Sequence, residues 1–302
     1  MRTRKPFTLA VLVCLMMPIS ARVEAQTPAM DLETVTKTMS VRGLSFPVVD
    51  HGSGPVVLLL HGFPDDRSLW RYQVGPLASA GYRVVAPDLR GFGDAPRPQD
   101  PKEYGLSIVI DDVLGILDAL EIRRVQLVAH DWGAAVGWRL AAEHPDRVTR
   151  YVALSVGAPG GPMPIEQREK SWYMAFFRQT GTAETQLAQN DWQLFREWTR
   201  NAKDTDRYVA RLSRPGALTA GLNWYRASGQ PAAAGAAPPA VTIPVLGIWS
   251  DGDAYLTEIR MKTSGERIRG PFRYEKIAGA SHWLMLDKPQ ELNRLLLGFL
   301  ER

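Results

Sequence analysis

The chain has 302 residues, 45% apolar and 23% charged, with 26 glycines and 22 prolines. This is an ordinary globular composition, long enough for one large α/β domain or two small ones. The formal charge is +4, but residues 1–25 hold four of the 36 Lys and Arg and one of the 32 Asp and Glu; the remainder carries only +1, which gives no ground for a nucleic-acid partner.

The chain begins MRTRKPFTLAVLVCLMMPISARVEAQ. A basic start (Arg2, Arg4, Lys5), an apolar run from Phe7 to Ile19 and small residues before a break at Ala25 make the layout of a cleavable secretory signal over residues 1–25. A membrane anchor needs about 20 apolar residues, and this run is shorter. A lipoprotein would want a small residue before Cys14, and Val13 stands there. Cleavage near Ala25 removes the only cysteine, which suits a secreted or periplasmic protein with no membrane association after processing.

Gln26 to Asp31 reads as a loose terminus. Two strands and a Gly-rich turn holding His51 follow, then a buried strand, Val56 to Leu60. Arg83 to Ala86 is a further strand. Ile108, Val109, Val113, Ile116, Leu117 and Leu120 recur at threes and fours, which predicts a helix from Ser107 to Leu120. Val125 to Ala129 and the RYVALSV segment are short apolar strands. This alternation predicts an α/β fold with a mostly parallel sheet and helices on both faces. After Ser155 the rhythm changes to helical spacing rich in Trp, Tyr, Arg and Gln. It is bounded by GAPGGPMP and by SGQPAAAGAAPPA (Ser228 to Ala240) before the strand IPVLGIWS. Residues 26–157 and 241–302 therefore form the core, and 158–240 an inserted helical cap over the carboxyl edge of the sheet. A helix from Gln290 to Leu300 closes the core.

Three segments reach the carboxyl ends of strands, where open α/β sheets bind ligands. In VAHDWGAAVGW, Asp131 occupies a small-X-Asp-X-small turn between a strand and a helix, the place of an exposed nucleophile. WSDGDAYL is an acidic loop after the strand ending at Trp249 and carries Asp251 and Asp253, and IAGASHWLMLDKP brings His282 in a loop before the final helix. Nucleophile, acid and histidine in that order are the α/β-hydrolase arrangement. Ser155, in ALSVG, is a rival nucleophile. The Ala-Pro-Gly-Gly-Pro that follows cannot start the helix an elbow requires, so Ser155 is expected as a strand end facing the cap. Of the other histidines, His130 is expected to shape the elbow or pocket and His144 to end a helix.

An ionised aspartate attacks an sp³ carbon bearing a leaving oxygen or halide, giving an ester on its own side chain. A histidine oriented by an acid then activates water against that ester, and backbone amides stabilise the oxyanion. HGFP at 61–64 follows a buried strand, and the amides of Phe63 and Trp132 are the expected donors. No metal-ligand spacing and no phosphate-binding glycine loop is present in the sequence, so no cofactor is implied.

From about Lys37 onward the chain resembles the epoxide hydrolases of the α/β-hydrolase superfamily. The resemblance rests on HGFP at 61–64, DLRGFGDAPRP at 88–98, HDWG at 130–133 and SHWLMLDKP at 281–289. It implies that Tyr173 and Tyr225, in WYMAFFRQTGTAE and LNWYRA, hold and protonate the epoxide oxygen. Aligning DAYL with the family's acid motif favours Asp253 over Asp251. His61, Pro64, Trp172, Phe176, Phe177 and Trp224 are the expected lining for a small apolar epoxide. Haloalkane dehalogenases share the elbow, but many carry asparagine where Phe63 stands. Haloacid dehalogenases carry arginine where Trp132 stands. A non-catalytic binding protein on this fold would have no need of the hydrolytic set.

Overall fold

A computed structural model describes residues 27–200, 202–228 and 239–301. The secretory signal expected over 1–25, and most of the Ser228–Ala240 linker, lie outside the described residues.

Eight strands form one sheet: β1 (Thr36–Val41), β2 (Leu44–Gly52), β3 (Val56–Leu60), β4 (Arg83–Pro87), β5 (Val125–His130), β6 (Val148–Leu154), β7 (Val245–Ser250) and β8 (Phe272–Ile277). Their spatial order is β1-β2-β4-β3-β5-β6-β7-β8. The hairpin β1–β2 is antiparallel and joins β4 antiparallel; every pairing from β4 through β8 is parallel. β5 and β7 are buried at all six positions. Since successive side chains point to opposite faces, both faces of the central sheet are covered, as the near-continuous apolar runs require.

Helices α1 (Val74–Ser79), α2 (Leu106–Ala119) and α3 (Trp132–Glu143) follow β3, β4 and β5. Between β6 and β7 come α4 (Ile165–Lys170), α5 (Trp172–Phe177), α6 (Thr182–Trp198), α7 (Thr205–Leu212) and α8 (Ala217–Ser228). After β7 come α9 (Glu258–Lys262), α10 (Leu284–Asp287) and α11 (Pro289–Phe299). α2 buries Val109, Ile110, Val113, Ile116 and Leu117 on one stripe, the face its spacing predicts.

Helices α4 to α8 lie over the loops that leave the sheet. The Trp224 indole donates to the Arg90 carbonyl at 2.9 Å. Three ion pairs tie this layer to the core: Arg71 with Asp204, Arg211 with Asp66, and Arg214 with Asp94. Asp66 is only 3% exposed.

Three local expectations change. His51 is not in a turn but in β2, opposite Val84. The expected strands do not include Phe272–Ile277; its partly exposed edge position explains the weak apolar signal. Ser155 does not face the cap. It is fully buried just past β6 with φ +66°, its hydroxyl against the His282 carbonyl at 3.5 Å.

Candidate active site

β5 delivers Asp131 to the start of α3 with φ +51° and ψ −123°. A residue other than glycine rarely adopts this conformation, and the surroundings must impose it. Gly62 and Gly133 permit it. A Cβ on Gly62 would run into the Asp131 carboxylate, and one on Gly133 into the carbonyls of His61 and Leu60. The resulting turn projects the carboxylate out of the strand, leaving its side chain 16% exposed. The Phe63 amide donates to Asp131 Oδ1 at 2.9 Å. Burial opposes charge on Asp131, but His282 and the Trp132 amide hold its carboxyl below the usual range. The amides of Phe63 and Trp132, the two expected oxyanion donors, thus both serve this one carboxylate.

His282 stands between two carboxylates. Its Nδ1 donates to Asp253 Oδ2 at 2.9 Å, and its Nε2 lies 3.7 Å from Asp131 Oδ2. Burial disfavours the imidazolium, yet Asp253 and Asp131 together push His282 up to about 10. Asp253 is itself buried. His282 and the amides of Tyr255 and Leu256, at 2.8 and 2.9 Å, outweigh that burial and hold its carboxyl low. Asp251 is elsewhere: it is exposed and accepts the Gly279 amide, which orders the loop. Of the two candidate acids, the fold brings Asp253 to His282.

α5 and α8 bring Tyr173 and Tyr225 above the elbow, their ring centroids 6.0 Å apart. Both line a cavity of about 230 Å³ together with Asp131, Trp132, Met174 and Leu256. Burial first, and then the Asp131 charge, raise both phenols well above their ordinary range, so they are neutral donors at any physiological pH.

Several residues expected to line the cavity hold it up instead. His61 is fully buried and accepts the Leu89 amide on Nε2 at 3.0 Å, so its Nδ1–H faces the Gly62 carbonyl at 3.0 Å. Burial lowers it to about 4, which keeps the ring neutral. It therefore fixes the turn that aims the Phe63 amide. Pro64 is buried behind that turn, after a cis peptide bond. Phe177 is fully buried and packs on Phe63 and Tyr225 at 5.7 and 5.0 Å. Trp224 packs under Phe92 and Trp132. Phe176 is half-buried beneath Trp172, and Trp172 is 54% exposed, away from the cavity. Helical spacing cannot separate a ring facing a cavity from one facing a neighbouring helix, which is why Trp172, Phe176, Phe177 and Trp224 looked alike.

Three further buried residues brace the site. Tyr255 packs edge-on to His282 at 5.1 Å, and its hydroxyl donates to the Trp198 carbonyl. Gln167 on α4 is buried and bonded to the Asp253 loop. His130 sits 4.4 Å from the His282 ring, and its Nε2 donates to the His282 carbonyl at 3.0 Å. His130, expected to shape the elbow or pocket, thus ties the end of β5 to the His282 loop.

The family model for the alpha/beta hydrolase fold matches residues 55–289. Epoxide hydrolase A of Mycobacterium tuberculosis is 33% identical over 312 aligned positions, covering 87% of this chain and 96% of the relative. Epoxide hydrolase 3 of Xenopus tropicalis is 32% identical, covering 87% of this chain and 76% of the relative. Among solved structures, epoxide hydrolase A from Mycobacterium thermoresistibile superposes with a TM-score of 0.72 at 27% identity, covering 88% of this chain and 97% of that one. A family model that matches most of the chain, with epoxide hydrolase relatives of 32–33% identity along 87% of it, makes this protein an α/β-hydrolase of the epoxide hydrolase family.

Proposed function

We propose that Asp131 opens the epoxide and that the His282–Asp253 pair hydrolyses the ester so formed. The observation that carries this reading is the asymmetric setting of one carboxylate: Oδ1 held by the Phe63 amide, Oδ2 turned toward His282, both beneath Tyr173 and Tyr225.

In the resting enzyme His282 is an imidazolium between two carboxylates. Oδ2 attacks an epoxide carbon, the ring C–O bond breaks, and a tyrosine hydroxyl gives its proton to the leaving alkoxide. Asp131 is then a neutral ester. His282 has lost one of the charges that raised it, and it returns a proton to the tyrosinate. The neutral imidazole takes a proton from water, whose oxygen adds to the Asp131 carbonyl carbon. The negative charge falls on Oδ1, which already accepts the Phe63 amide. Collapse expels the second alkoxide, which takes the proton of the new carboxyl group. A vicinal diol leaves, and Asp131, the imidazolium and both phenols are restored.

The decisive experiment is intact-protein mass of the His282→Gln variant after exposure to styrene oxide and, separately, to a 1-haloalkane. An adduct of the whole epoxide mass, absent when Asp131 is also changed to Asn, is the expected result. An alkyl adduct from the haloalkane alone would make the protein a dehalogenase. No adduct from either would favour a binding protein. Export is part of the same reading, supported by the basic start and the apolar run from Phe7 to Ile19; N-terminal sequencing of the protein recovered outside the cytoplasm tests it.

A further inference from the structure

The cavity that holds Asp131 and the two tyrosines is also lined by Arg260, on α9. The buried or half-buried arginines 67, 71, 90, 211 and 226 each pair with a carboxylate. Arg260 has no such partner among the described residues. Its Nη1 donates to the Pro162 carbonyl at 3.1 Å and rests against the Met163 sulfur. Its Nε–H and Nη2–H groups have no protein acceptor among the described residues. Burial depresses its proton affinity, and no neighbouring charge, Asp131 included, acts on it appreciably.

The rest of the cavity wall sharpens the meaning of that cation. Gln167 is committed to the Asp253 loop, and Ser171 accepts from Gln167, leaving its hydroxyl hydrogen to donate. Val156, Met174 and Leu256 are apolar. Beyond the tyrosines and Asp131, the wall therefore offers the Ser171 hydroxyl, the unpaired N–H groups of Arg260 with their positive charge, and apolar surface. A half-buried guanidinium with free donors is best satisfied by a planar anion that accepts two hydrogen bonds.

We infer that Arg260 is a specificity-determining residue and that the substrate class is an epoxide carrying a carboxylate at the far end of a short hydrocarbon chain. The inference rests on Asp131 being the nucleophile in the same cavity. Asp131 exerts no appreciable charge effect on Arg260, so a carboxylate held there fixes the chain with little opposition to attack on the epoxide.

The test compares a terminal epoxyheptanoic acid with its methyl ester, using wild type, Arg260→Gln and Arg260→Lys. The acid is expected to be the better substrate of wild type at low salt. The acid-to-ester ratio of kcat/KM should fall about tenfold in Arg260→Gln, chiefly through KM, in keeping with one partly exposed charge-assisted contact. Arg260→Lys should restore part of the ratio, and salt should erode it. An acid no better than its ester in wild type, or a ratio unchanged in Arg260→Gln, would overturn the assignment. Calorimetric binding of heptanoate, which cannot react, separates this from the chemistry. Weakening by Arg260→Gln supports the site, and equal binding refutes it, even if no epoxide ever alkylates Asp131.

Discussion

The side-chain amide of Gln167 donates to the Tyr255 carbonyl at 2.8 Å, joining the first cap helix to the loop that carries Asp253. Its oxygen also accepts the Thr257 amide and hydroxyl, at 2.9 and 3.0 Å. One buried residue therefore sets both the Asp253 loop and, through Ser171, the start of the helix that carries Tyr173.

Gln167→Leu keeps the volume and leaves these partners unpaired and buried. Unsatisfied groups of this kind cost about 2–4 kcal/mol, or roughly 5–10 °C in Tm for a chain of this size. Differential scanning calorimetry should show the drop, with kcat falling as well. A variant as stable and active as wild type would remove Gln167 from the positioning of the site.

His282 ties stability to pH. Its folded value of about 10 lies above the ordinary 6.5, so the imidazolium is favoured in the folded state. That contribution is fully present below about pH 6.5 and is lost as pH rises toward 10. Urea denaturation of wild type and His282→Gln should show a stability gap that narrows across this window. A gap independent of pH would contradict an imidazolium between Asp253 and Asp131.

Asp65, the residue after HGFP, gives a second comparison of the same sign. It is buried, accepts the Trp283 indole at 2.9 Å, and burial pushes its carboxyl up to about 8. The favourable protonated state is fully present below the ordinary value of 3.8 and is lost as pH rises toward 8. Asp65→Asn keeps an acceptor without the proton. Its stability relative to wild type should improve by more than about 1 kcal/mol between roughly pH 5 and pH 8. A constant difference over that range would mean that Asp65 is ionised throughout.

Tyr173→Phe and Tyr225→Phe remove the two buried proton donors singly. Each should slow ring opening about 10–100-fold, and the double variant more, within the range general acids contribute. Stopped-flow quenching of Trp132 beside the nucleophile separates alkylation from ester hydrolysis. Loss confined to the hydrolysis step would assign the phenols a different role.

Sequence alone determined the sheet strands from β3 to β7, the strand–turn–helix around Asp131, and the chain order of Asp131, the Asp251–Asp253 loop and His282. Those features are local: apolar runs mark strands buried on both faces, and small residues mark a turn that tolerates no side chain. The choice between Asp251 and Asp253 was not local. Two residues apart in a loop, they were separated only when the amides of Tyr255 and Leu256 turned one inward and the Gly279 amide held the other at the surface. The same holds for Trp172 and Phe177, alike in spacing yet exposed and buried respectively, because α5 presents one face to Phe63 and the other to water. Gln167 and Arg260 carry no motif. What distinguishes them is which partners lie within reach, and bringing distant segments together is the work of tertiary packing.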